Sequence, residues 1–161
     1  QAARRYWQML MGADFRRDQA GEGGNALLNY GYTVLRATLG RAICAAGLHP
    51  TIGLHHANRG NCFALADDLM EPYRPIVDRA VFNLMRAGVT EVTPEAKRAL
   101  VALTGLDLVT PQGMSPLYMH ATRLAQQLAG VFCGETEKLI LPKPLEPLIW
   151  SGLACQHEVP T

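Results

Sequence analysis

Between Thr51 and Pro75 the chain reads TIGLHHANRGNCFALADDLMEPYRP, and no other stretch sets so many ionisable groups among apolar ones. His55 and His56 stand in a short apolar segment that ends in a polar turn, and a helical run then carries Asp67, Asp68 and Glu71. Imidazole and carboxylate together are metal-ligand chemistry. Asp68 and Glu71 are three apart on a helix and share a face; Asp67 and Glu71 are four apart and share one too, so both pairs cannot point equally into one site. Taken alone, such acids make a solvated acidic face. Here Phe63, Leu65, Leu69 and Met70 surround them, so at least one carboxylate should sit at a buried boundary, where it needs a partner or a metal. In an extended segment His55 and His56 alternate sides, so only one of them faces a given site. The alternative for either is a histidine satisfied within the core. Gly60, between Arg59 and Asn61, lets the chain turn back so that a histidine meets the following helix. Mixed imidazole and carboxylate donors without cysteine ligands favour manganese or magnesium over zinc.

The elements that must position these groups read as helices. Gln1 to Met11 has helical spacing and Gly12 ends it. Asp14 to Gly24 is polar and glycine-rich, an exposed loop. Asn25 is a candidate N-cap for a long buried helix to Ala46, with Gly47 as its stop. Pro50 to His56 is expected to be extended, and Asn61 to cap a helix from Cys62 to Glu71. Pro72 lacks an N–H and its ring clashes with the carbonyl of Asp68, so it should end or kink that helix beside Glu71. Helical periodicity restarts from Ile76 to Arg86 before Gly88. Thr93 with Pro94 caps the next helix, and Pro116 opens the last one, LYMHATRLAQQLAGVF. From Lys138 the chain holds four of its ten prolines and reads as an irregular, wrapping tail. β-like alternation is scarce, so the fold class is all-α, with six helices in a single helical domain over 1–161.

A chain of 161 residues, 48% hydrophobic and 18% charged, can bury a real core. Its formal net charge of +1 gives no whole-domain basic field, so any nucleic-acid contact must use a local patch. Cys44, Cys62, Cys133 and Cys155 are far apart, without zinc-site spacing, and read as free buried thiols of a reducing cytoplasm. No apolar run reaches the length of a membrane helix.

The run NALLNYGYTVLRATLGRAICAAGLHPTIGLHHANRGNCFALADDLMEPYRP resembles the C-terminal helical domain of Cas1, the integrase of CRISPR adaptation, most of all members from type II systems. NYGY, the histidine segment and DLMEPYRP match in order and spacing, and the opening QAARRYW fits as well. The resemblance implies a multi-helix catalytic domain that inserts spacer DNA into a CRISPR array by phosphoryl transfer, and that also cuts DNA. It places the family's metal-binding histidine on His56 and its second ligand on Glu71, with Asp68 supporting them, and it implies Mg2+ or Mn2+ as cofactor. The family's third ligand, a glutamate, would lie just upstream of Gln1 and is not in this chain; nor is its N-terminal β-sandwich domain. The chain alone is therefore expected to be weak or inactive. The implied partners are prespacer and repeat DNA, a Cas2 protein and a second copy of the full-length protein, in a prokaryotic cytoplasm.

DNA must be gripped through its phosphates, and the candidates near the site are Arg59, Arg74 and Asn58. Arg74 alternatively pairs with Asp67, Asp68 or Asp78, and Asn58 alternatively holds the turn. Arg4, Arg5, Arg16 and Arg17 read as a solvated face, Tyr30 and Tyr32 as packing residues, and Met114 and Met119 as core fill. The rival reading is a non-catalytic helical DNA-binding or scaffold module whose histidines and acids are structural; a third is an unrelated small helical metalloenzyme.

Overall fold

A computed structural model describes residues 2–55, 58, 60–110 and 113–141. His56 and Arg59 lie outside the described residues, as do Cys155 and the tail beyond Leu141. Among the described residues six helices run in chain order: α1 (Ala2–Met11), α2 (Gly24–Ala45), α3 (Ala64–Met70), α4 (Arg74–Arg86), α5 (Pro94–Ala102) and α6 (Leu117–Phe132). A 3-10 turn, Glu71–Tyr73, joins α3 to α4, and a second, Leu103–Gly105, follows α5. The fold is all-α, with one addition that the sequence pattern did not announce. A short antiparallel hairpin, β1 (Asp107–Thr110) and β2 (Gly113–Pro116), pairs Leu108 with Ser115. Its strands are four residues each, too short to show a periodicity of two. Met114, at 70% exposure, and Met119 are exposed there and on α6, so neither is the core fill expected of it.

α2 is the central element and packs against α3, α4, α5 and α6. Its buried residues Leu27, Leu28, Gly31, Leu35, Thr38, Leu39, Ala42 and Ile43 recur every three or four positions, the spacing of one helical face. They join Tyr73, Val77 and Val81 from the α3–α4 segment, Leu100 from α5, and Leu124 and Leu128 from α6 in one apolar core. Each fully buried leucine contributes about 1.5–3 kcal/mol of hydrophobic stabilisation. At Gly31 α2 and α4 approach closely, since a Cβ there would stand 2.5 Å from Val77 Cγ1. The adjacent residues, Tyr32 and Asp78, meet beside that contact.

Several boundaries move by one or two residues for local reasons. Asn25 is not the N-cap of α2; Gly23 occupies that position, and the Asn25 side chain accepts from the backbone N–H of Asp18 instead. Leu48 N–H donates to the carbonyl of Ile43 past Gly47, whose φ of 76° closes the helix. Residues 50–55 are not extended but turn, with Ile52 N–H donating to the His49 carbonyl. Asn61 caps a turn rather than the helix, accepting from Phe63 N–H at 2.9 Å, and α3 starts at Ala64. Pro72 breaks the helix as its chemistry requires, and Thr93 Oγ1 accepts from Ala96 N–H as the N-cap of α5. Cys44, Cys62 and Cys133 are free but exposed, not buried. Among the described residues no helix is long and apolar enough to cross a membrane.

Candidate functional site

The three acids of the α3 region do three different jobs. Asp67 is buried, and its two oxygens accept from Arg36 Nε on α2 and from Asn61 Nδ2, each at 2.7 Å. It is the carboxylate at a buried boundary that the surrounding apolar residues demand, and its partners are a guanidinium and an amide. Asp68 turns toward the preceding loop, where its Oδ2 accepts from the backbone N–H groups of Leu54 at 2.6 Å and His55 at 2.9 Å. The segment leading into residue 56 is thereby folded back against α3. Glu71 stands one turn further on, at the Pro72 break, with its side chain 56% exposed. Arg74 Nε approaches its Oε1 to 3.0 Å as an ion contact, without an N–H aimed well enough for a hydrogen bond.

A second polar cluster lies beside this one. Asp78, one helical turn after Arg74, is buried and accepts from the hydroxyls of Tyr6, at 2.6 Å, and Tyr32. Burial raises its carboxyl above the ordinary value, against the pull of the two hydroxyls and of Arg74 and Arg17. Burial and the facing carboxylate likewise raise both tyrosines, so their protons stay in place as donors. Arg74 lies over the Tyr32 ring at 5.0 Å and Arg17 over the same ring at 5.7 Å. Arg17 Nη1 donates to Asn25 Oδ1 and Nη2 to Asn29 Oδ1, so this arginine is held rather than freely solvated.

Of the residues that the sequence marks for chemistry, the structure brings Asp68 to the histidine segment and Arg74 to Glu71, with Arg74 also acting electrostatically on Asp78. Asn58 is exposed and holds its turn, its Oδ1 accepting from Gly60 N–H. Asp78 enters the sequence reading only as a possible Arg74 partner; its tie to the hydroxyls of Tyr6 and Tyr32, and that of Arg36 to Asp67, are contacts between residues distant in sequence. The 3,4 spacing of Asn25, Asn29, Tyr32 and Arg36 along α2 was the one available sign of a shared polar face.

Glu71 is an accessible hard oxygen donor with Asp68 one turn before it, which fits magnesium or manganese better than a softer ion. Among the described residues no group of three or more His, Cys, Asp or Glu is placed to hold an ion; His56 is not among them.

Comparison with known proteins identifies the family. The family model for CRISPR associated protein Cas1 matches residues 1–102. A CRISPR-associated endonuclease Cas1 from Neisseria meningitidis is 36% identical over 148 residues, covering 90% of this chain and 48% of the relative. A second, from Pyrobaculum aerophilum, is 32% identical over 137 residues, covering 82% of this chain and 46% of that protein. The chain thus spans about half the length of these relatives. A solved structure of a casposase bound to integration product superposes with a TM-score of 0.71 at 28% identity, over 85% of this chain and 49% of the other. With the family model covering α1 to α5 and the histidine loop folded onto the acidic helix, the chain belongs to the CRISPR-associated Cas1 family.

Proposed function

We propose that this chain is the helical catalytic portion of a metal-dependent DNA endonuclease and integrase that inserts new spacers into a CRISPR array. The observation that carries the reading is the double hydrogen bond from Leu54 and His55 N–H to Asp68, one turn before Glu71. It folds the histidine segment onto the helix that ends in the accessible acid, as a shared ion site requires. In this reading His56 and Glu71 are the metal ligands and Asp68 fixes the loop between them. Mg2+ or Mn2+ bound there would neutralise phosphate oxygens and lower the pKa of the attacking DNA 3′-hydroxyl. Glu71 supplies an anionic oxygen that solvent and an ion reach. With an ion held by Glu71, the Arg74 guanidinium would be free to meet a phosphate, and the Tyr32 ring would keep it in range. Asn58 and its sequence neighbour Arg59 would supply further phosphate contacts. The family's partners follow: prespacer and repeat DNA, a Cas2 protein, and a second copy of the full-length protein.

The Glu71–Arg74 contact also favours a second reading, in which both groups are structural and the chain is a helical scaffold. Manganese titration separates the two. Broadening of the His56 ring resonances, abolished by Glu71→Ala, supports the ion site. No effect at His56 while Glu71 is intact supports the scaffold and removes the catalytic reading.

A further inference from the structure

α1 is held narrowly. None of its residues from 3 to 11 is fully buried. Trp7 and Met11 pack against the core, Trp7 meets the Phe15 ring at 5.8 Å, and Tyr6 donates to Asp78. Asp78, 3% exposed, accepts on its other oxygen from Tyr32. One carboxylate thus joins three helices through residues 72 and 46 positions away in the chain. Tyr32 in turn lies under the Arg74 guanidinium, and Arg74 contacts Glu71. From Glu71 to α1 there runs a continuous line of side chains: Glu71, Arg74, Tyr32, Asp78, Tyr6. Apolar packing alone would leave α1 free to slide on its support, because dispersion is not directional. Two hydroxyls aimed at one buried carboxylate fix both distance and angle.

We propose that Asp78 is a positioning residue for phosphoryl transfer, holding α1 through Tyr6 and the Arg74 guanidinium through Tyr32 so that both stand at set distances from Glu71. The inference rests on the DNA-processing function proposed above. Asp78 touches no reacting atom; it acts through the two tyrosines. Arg74 bears on phosphate binding, whereas Tyr6 braces the far end of the line that leads to Glu71 and so bears on alignment there, where an error of about 1 Å can cost about a hundredfold in rate. The two arms of Asp78 therefore have separable signatures.

The test is strand-transfer kinetics and DNA binding by the full-length protein, comparing Tyr6→Phe, Tyr32→Phe and Asp78→Asn with the unmutated form. Tyr6→Phe is expected to lower kcat about tenfold with KM for DNA unchanged, and to speed hydrogen exchange in α1. Tyr32→Phe keeps the ring but frees it from the Asp78 carboxylate that fixes it; KM for DNA rises, and the salt slope of binding falls by about 1, as expected when one phosphate contact is lost. Asp78→Asn shows both effects. A merely structural role lowers Tm while leaving kcat, KM and the salt slope of the folded protein unchanged; that result overturns the inference and leaves the proposed function standing. An unmutated protein that transfers no strand overturns both together. Where Asp78→Asn fails to fold, the two Tyr→Phe variants, each removing one bond to one oxygen, still decide the matter.

Discussion

α2 meets α6 and α3 through two kinds of contact. α6 brings Leu117, Ala121, Leu124, Ala125 and Leu128 to the core, buried groups with no directional bonds to satisfy. α3 also buries leucines, but its hold on α2 and on the histidine loop runs through single polar bonds: Arg36 to Asp67, Asn61 to Asp67, Leu54 and His55 to Asp68. Dispersion and burial sum over many weak contacts, so no single one sets a position. A hydrogen bond between charged and neutral groups sets distance and direction at once. The first contact stabilises the molecule; the second places a loop.

Breaking the first contact has the largest expected effect. Leu128→Ala should lower unfolding free energy by about 2–5 kcal/mol, measured by urea denaturation, while exchange of the Leu54 and His55 amides keeps its local rate. Next comes Asp67→Ala, which strips Arg36 and Asn61 of their acceptor and should cost about 1–3 kcal/mol in the same measurement. Asp68→Ala inverts the pattern. Its global cost is about 1 kcal/mol or less, yet Leu54 and His55 amide exchange should accelerate by about tenfold or more.

A finer separation uses pH, since α4 and α6, both packed on α2, each carry a buried titratable group. Burial raises Asp78 from an ordinary 3.8, so the folded state takes up its proton at higher pH than the unfolded chain. The stability from this linkage is full below the unfolded value and is lost as pH rises through the folded one. His120, buried on α6, is lowered from 6.5 by burial and then by Arg123. Its contribution is present above 6.5 and is lost as pH falls through the folded value. Urea midpoints across a pH series should therefore separate two variants. Asp78→Asn loses the unmutated protein's gain on acidification just above the ordinary carboxylate range, and His120→Gln loses the decline that begins below 6.5.

Much of the fold is legible in the sequence because its cues are local. Pro72, Thr93 and Pro116 mark element ends through the chemistry of their own backbone or side chain, and the apolar spacing of α2 needs no partner to be read. The caps at Asn25 and Asn61 failed for a shared reason. Both side chains had better partners elsewhere, in the loop before α2 and on Asp67, and an amide bonded there leaves the helix end to other groups. Within the candidate site, the expectation that one acid lies at a buried boundary held for Asp67, since apolar neighbours are visible in sequence. The Tyr6–Asp78–Tyr32 cluster was illegible because its members come from three separate helices.

Asp67 and Asp68 are consecutive, and successive helix positions point about 100° apart. One moors the chain where it leaves the loop, at Asn61; the other moors it where it arrives, at Leu54 and His55. The span between the two moorings, which carries the His56 proposed above as an ion ligand, therefore has both its ends tied to one helix.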